Sequence, residues 1–391
     1  KEAFDGTYPG YGSSYPDLQG ALALLFEQAS SRGNLQDTDF GTISFPFTIR
    51  NQYTSSFSTV KAAVENKSYL RKYQQDFFVS AVVHAERGRS TKAKKDQTVA
   101  YEFGDPNDRN RTKAFVDKLL LHRIKTYKKG DGTYIVPVAQ PQQRMVQSFF
   151  ETYSKYRDSV YYDASAWSVA NFYNMRAKGV NSTPSLQNEV TSTDNLATVT
   201  PVSKTGYAYL INYDDYNAAA LLYHLQQKEI IVSTAFKPFT AKTKRGTVDF
   251  NYGTLMVPVS RQSLDANEVF TIISEAQQRF QVPIYAADTG FIVKGIDLGS
   301  RNFAKVDTPK AMMLIGNGTS SYEAGEVWHL LDTRVHMPIT KVLMNNFRFA
   351  DLSDYNTLVM VSGNYSQLSE GTIKDIKDWV SQGNTLITIG R

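Results

Sequence analysis

Ala311-Met312-Met313-Leu314-Ile315-Gly316-Asn317-Gly318-Thr319-Ser320-Ser321-Tyr322-Glu323 is the stretch that decides the fold class. Five apolar residues running into Gly-Asn-Gly predict a buried strand and a tight turn. Ser320 followed three residues later by Glu323 has the capping-box spacing of a helix start, and Ala324, Val327 and Leu331 then recur on one helical face. Further strands are expected at 339–343 and 357–361. A helix from Ser369, burying Ile373, Ile376 and Val380, should stop at Gly383. The apolar, β-branched run Leu386-Ile387-Thr388-Ile389 reads as a buried parallel strand. Residues 301–391 are therefore expected to form an incomplete doubly wound α/β sheet that breaks off at its fourth strand.

Upstream the chain repeats itself. Gly132-Thr133-Tyr134-Ile135-Val136-Pro137-Val138 returns 121 residues later as Gly253-Thr254-Leu255-Met256-Val257-Pro258-Val259. Each copy follows a strand-like run (99–103; 207–211) and a helical pattern (about 111–124; 216–227). Each precedes another helical pattern (about 142–153; 267–280). Strands alternating with helices at this spacing predict βαβ units and parallel sheets, here two related units over 97–165 and 204–292 packed as one composite domain. Equivalent copies would place Pro137 and Pro258 alike, at a strand end or edge, because proline cannot donate to a ladder.

With 391 residues and roughly 150 per domain, two to three domains are expected. The composition, 41% hydrophobic and 21% charged, is that of an ordinary globular chain. No run reaches the ~18 apolar residues of a membrane span. The absence of cysteine excludes disulfides, thiolate metal sites and a cysteine nucleophile. The net charge of +5 is mild. Two basic runs, one of Arg87, Arg89, Lys92, Lys94 and Lys95 and one of Lys125, Lys128 and Lys129, read as solvated loops. No stacking aromatics interleave the first run, so no nucleic-acid partner is expected. The five histidines lack a metal-binding partner at the spacing of H-E-x-x-H, and no G-x-S-x-G elbow occurs. Gly316-Asn317-Gly318 fits either a structural turn or an anion cradle. A helical pattern runs from Ser56 to about Arg87 through Val60, Val64, Leu70, Tyr73, Phe77 and Ala81.

The first residues carry a more specific signal. Tyr8-Pro9-Gly10-Tyr11-Gly12-Ser13-Ser14 is followed by the apolar run Ala21-Leu22-Ala23-Leu24-Leu25-Phe26, read as a buried strand ending on Glu27. This resembles the end of the catalytic domain in carboxypeptidase A-like zinc peptidases. In that family a Tyr in a Y-x-x-x-G-x-S loop closes over the substrate, and a Glu about twenty residues on promotes the zinc-bound water. The resemblance puts Tyr8 and Glu27 in those roles. The Arg usually found two residues after the Glu is absent; Glu27-Gln28-Ala29-Ser30 looks instead like the large multidomain branch of Bacteroidetes-type bacteria. Residues 321–332 and the strands around them are similar to the C-terminal domain of those proteins, which is related to class I glutamine amidotransferases. Where working amidotransferases carry a nucleophilic Cys, the stretch 386–390 has none.

The resemblance implies the end of a carboxypeptidase-like domain at 1–50 and a cysteine-free amidotransferase-like domain at 301–391; between them the sequence pattern itself gives a helical connector at 51–96 and the duplicated α/β region at 97–300. It implies a secreted or periplasmic parent that binds peptide substrate and zinc, its metal ligands lying before Lys1. No metal site, and no peptidase activity, is expected in this stretch alone, which reads as cut at both ends. The alternative is a different class of function, a non-catalytic α/β module binding a peptide, glycan or protein partner, because most of the sequence shows no catalytic constellation. The oligomeric state is unspecified.

Overall fold

The computed structural model describes residues 9–26, 31, 33–90, 98–130, 132–152, 168–182 and 185–390, without the side chains of 84–90. It falls into two units, Lys1–Leu196 and Ala197–Arg391.

In the first unit a short helix α1 (Ser14–Leu18) precedes the run 21–26. That run is not the expected buried strand. It has no regular structure, and Leu22, Leu24, Leu25 and Phe26 are each more than half exposed. The physical reason is local: no strand among the described residues lies beside it to hydrogen-bond its backbone. A hairpin, β1 (Leu35–Thr38) and β2 (Gly41–Ser44), leads directly into helix α2 (Phe45–Glu65). The Ser44 side chain accepts from the Phe47 N–H, and Pro46 sits in the first turn where no backbone donor is needed. Asn66 interrupts the helix before α3 (Lys67–Ser90). The single helical pattern is thus two helices. Phe77 and Ala81 of α3 are buried as expected, but α2 buries nothing. Phe45, Ile49, Tyr53, Phe57, Val60 and Val64 instead form an exposed stripe along it.

The rest of the unit runs β3 (Ala100–Phe103), α4 (Arg109–Leu121), β4 (Tyr127–Gly130), β5 (Thr133–Pro137), α5 (Gln143–Phe150), α6 (Val169–Phe172) and β6 (Ala177–Val180). The sheet order is β4-β5-β3-β6, and every pair is antiparallel. One face packs Tyr101, Phe103, Tyr134 and Val136 on Phe115, Leu119, Phe149 and Phe150 of the helices. Within this aromatic cluster Phe103 meets Phe115 edge-on at 5.2 Å, and Tyr101 stacks on Phe150 at 4.8 Å.

The second unit opens with β7 (Ala208–Ile211), α7 (Ala218–Gln227), β8 (Ser233–Ala235), the hairpin β9 (Phe239–Thr243) and β10 (Gly246–Phe250), and β11 (Leu255–Pro258). It continues through α8 (Ala266–Phe280), β12 (Ile284–Ala287), β13 (Lys294–Gly295) and β14 (Phe303–Lys305). Its main sheet, β12-β7-β11-β8-β14, contains the order of the first sheet with one added edge strand. Both copies are therefore β-α-β-β-α-β units of the ferredoxin-like, split type.

Adjacent strands in both copies are antiparallel, which corrects the expected parallel pairing. The correction has a simple cause. The strands joined by each helix do run in the same direction, but a strand of opposite direction inserts between them. The proline expectation stands: Pro137 ends its strand opposite Ala100, and Pro258 ends its strand opposite Ala208.

The remaining elements are β15 (Ala311–Ile315), α9 (Ser321–His329), β16 (Thr340–Leu343), β17 (Thr357–Met360), α10 (Glu370–Ser381) and β18 (Thr385–Thr388). They form an all-parallel sheet in the order β16-β15-β17-β18. This is the doubly wound 2-1-3-4 arrangement, and the chain as a whole is α/β. Two details differ from expectation. Helix α10 buries Ile376 and Trp379, whereas Ile373 and Val380 are exposed. Strand β18 pairs in parallel as expected, yet its residues are exposed because it lies at the sheet edge.

Candidate functional site

Tyr8 and Glu27 both lie outside the described residues, as do Lys92, Lys94 and Lys95 of the first basic run. Among the described residues no group of three or more His, Asp or Glu is placed to hold a metal ion. His122 and His224 are partly buried against the rings of Phe149 and Phe280. Burial lowers the pKa of each, with neighbouring cations adding to the effect. Both read as packing residues.

The Gly316-Asn317-Gly318 loop sits at the switch point of the parallel sheet, where β16 and β17 leave β15 on opposite sides. Doubly wound folds commonly bind ligands there. Here the loop is closed by its own chain. Asn364 N–H donates to the Gly318 carbonyl at 2.7 Å, and Ser320 N–H donates to the Ser362 carbonyl at 2.8 Å. The Ser320 hydroxyl caps the Glu323 N–H, but the Glu323 carboxylate does not complete the capping box. It accepts from the Ser362 N–H at 2.7 Å instead. A carboxylate already held at this helix start disfavours a second anion, so the Gly-Asn-Gly segment is a structural turn.

A polar site that the sequence reading missed lies on the first sheet, on the face opposite the aromatic core. Tyr101 and Phe103 point one way along β3, so Glu102 between them takes the other face, beside Ile135 of β5. The Glu102 side chain is only 17% exposed. Its Oε1 accepts from Lys129 of β4, and its Oε2 pairs with Lys178 of β6 at 3.2 Å. The Lys129 hydrogen bond, helped by Lys178, holds the Glu102 carboxyl below the usual carboxylate range. Lys128 and Lys129 are thus part of strand β4 rather than of the solvated loop expected, and Lys129 belongs to the ion-pair network.

These groups line a cleft of about 330 Å³ floored by Ile135 and Val180, a size suited to a small ligand. Ser182, Ser185, Gln187 and Asn188 supply its neutral polar wall. The wall is fixed to the sheet edge, since Lys128 N–H donates to the Asn188 carbonyl at 3.1 Å and Val190 N–H to the Thr126 carbonyl at 2.8 Å. Aligning the two repeats would have revealed the site. The position of Glu102 is Leu210 in the second copy, and a single charge in an otherwise apolar strand is the signal.

Comparison with known protein families, curated proteins and solved structures finds no match for this chain.

Proposed function

We propose that this chain is the C-terminal part of a secreted or periplasmic zinc metallocarboxypeptidase that removes residues from peptide C-termini. The observation that carries the reading is the Tyr8-to-Glu27 pattern together with the amidotransferase-like likeness of residues 321–332. Glu27 would take a proton from zinc-bound water, whose pKa the metal lowers to about 7. Tyr8 would close over the substrate, and the zinc ligands would precede Lys1. The exposed apolar run Leu22–Phe26 and the stripe on α2 support the reading, because uncovered apolar surface of this extent marks a place where another part of a protein packs.

The test uses the protein from its complete reading frame. Zinc-dependent release of C-terminal residues, abolished in Glu27→Gln while the zinc content is kept, is the expected result. A reading frame without His-x-x-Glu and a later His upstream of Tyr8 overturns it. The polar cleft favours a second reading, a non-catalytic binding module. That reading gains if the full protein binds a ligand through the first unit and hydrolyses no peptide.

A further inference from the structure

We propose, resting on the carboxypeptidase reading, that His122 and Gln142 of the first α/β unit are positioning residues for Tyr8 and Glu27, acting through helix α1. That helix stands midway between the two residues in the sequence. Five residues are too few for a helix to hold itself in water, and Ser13 at its start supplies no side-chain cap. Its place is therefore set by what it touches. Beyond its packing on Phe149, His122 shares through Nδ1 a hydrogen bond of 3.2 Å with the Tyr15 hydroxyl, and the two rings lie 5.6 Å apart. Leu18 packs on the aromatic core. Gln142 Nε2 donates to Gln19 Oε1 at 3.3 Å. Gly20, at φ +77°, lies so close to Phe77 that a Cβ would meet its ring at 3.0 Å. Phe77 is itself pinned by Arg144, whose guanidinium lies 4.0 Å over the ring and donates to the Phe77 carbonyl at 3.0 Å.

The chain on both sides is fastened to α1. Tyr15 N–H donates to the Tyr11 carbonyl at 3.0 Å. Ala21 N–H donates to the Pro16 carbonyl at 2.9 Å, and Ala23 N–H to the Asp17 carboxylate at 2.8 Å. Residues 11–23 are thus one hydrogen-bonded body seated on the core. Tyr8 precedes that body by three positions and Glu27 follows it by four, so about 11 and 14 Å of chain bound where each can lie. His122 and Gln142, 107 and 123 positions from their partners, set the place of that body. The second copy has no such anchor. Arg123 and Glu229 share a left-handed turn after the equivalent helices, at φ 57° and 58°, and the residue before Glu229 is Lys228 where the first copy has His122.

The test uses the protein from its complete reading frame, assayed on a peptide with a free C-terminus. Tyr15→Phe and His122→Ala should each lower kcat about tenfold to a hundredfold, as for a misplacement of order 1 Å, with KM changed much less. His122→Asn, which keeps a hydrogen-bonding atom near the place of Nδ1, should restore most of the kcat lost in His122→Ala. Tyr15→Phe removes only a hydroxyl and keeps the test decisive if His122→Ala fails to fold. In the 391-residue chain the Ala21 and Ala23 amides should exchange faster in Tyr15→Phe, with β3 and β5 unchanged. Native kcat in both variants overturns the positioning role and leaves the carboxypeptidase reading intact. So does a loss of kcat that only follows loss of zinc or of the fold and that His122→Asn does not rescue. An inactive native protein overturns both.

Discussion

Glu102 and Leu210 occupy the same place in two copies of one sheet, each beside the strand that ends in Pro137 or Pro258. One is a carboxylate held between two lysines, and the other is a fully buried core residue. The backbone topology is shared, so the difference lies in what covers the face. The second copy has inserted β9 and β10 between β8 and β11, and the first has only a tight turn.

The Glu102 network predicts a particular pH dependence. Because its folded pKa is depressed, the carboxylate contributes stability that is present above the ordinary value of about 4.3 and is lost as pH falls through the folded value. The urea midpoint of the native protein should exceed that of Glu102→Gln by a constant margin from neutral pH to about pH 5, then converge with it in more acid solution. A margin that grows on acidification would show that Glu102 is not held charged by Lys129 and Lys178.

Phe115 and Phe57 should respond oppositely to truncation. Phe115 is fully buried among Phe103, Phe149 and Phe150, so Phe115→Ala should cost about 3–5 kcal/mol. Phe57 is 61% exposed on a helix that buries nothing, and Phe57→Ala should stay within about 0.5 kcal/mol. Hydrogen exchange of the β3 and β5 amides reads the first effect, and exchange along α2 the second. Comparable losses at the two sites would mean that the α2 stripe is covered in solution.

Gly104 follows β3 with φ +137°, and a Cβ there would run into the Gly132 carbonyl. Gly132 itself has φ +68° and lies against Pro106. Gly104→Ala should therefore destabilise the first unit by about 1–3 kcal/mol through backbone strain. Faster exchange at β3 and β5, with the parallel sheet unaffected, is the expected pattern. Unchanged exchange would refute the close approach.

By itself the sequence determined much of the local structure. The strand at 311–315, the Ser320 and Ser369 caps, the helix ending at Gly383 and the duplication through Pro137 and Pro258 were all legible, because each rests on residues a few positions apart. It also marked Tyr8 and Glu27, through a likeness of pattern. Pairing and exposure were decided only in three dimensions. Whether β3 and β4 lie side by side or admit β5 between them depends on the hairpin's register, and alternation of strand and helix is the same in either case. Val60 and Val64 have the spacing of core residues and are exposed, since burial needs a partner surface as well as a periodicity. The Glu102 cleft was invisible for the same reason. Lys129 and Lys178 stand 27 and 76 positions from the carboxylate, and only the antiparallel order β4-β5-β3-β6 brings their charges onto one face.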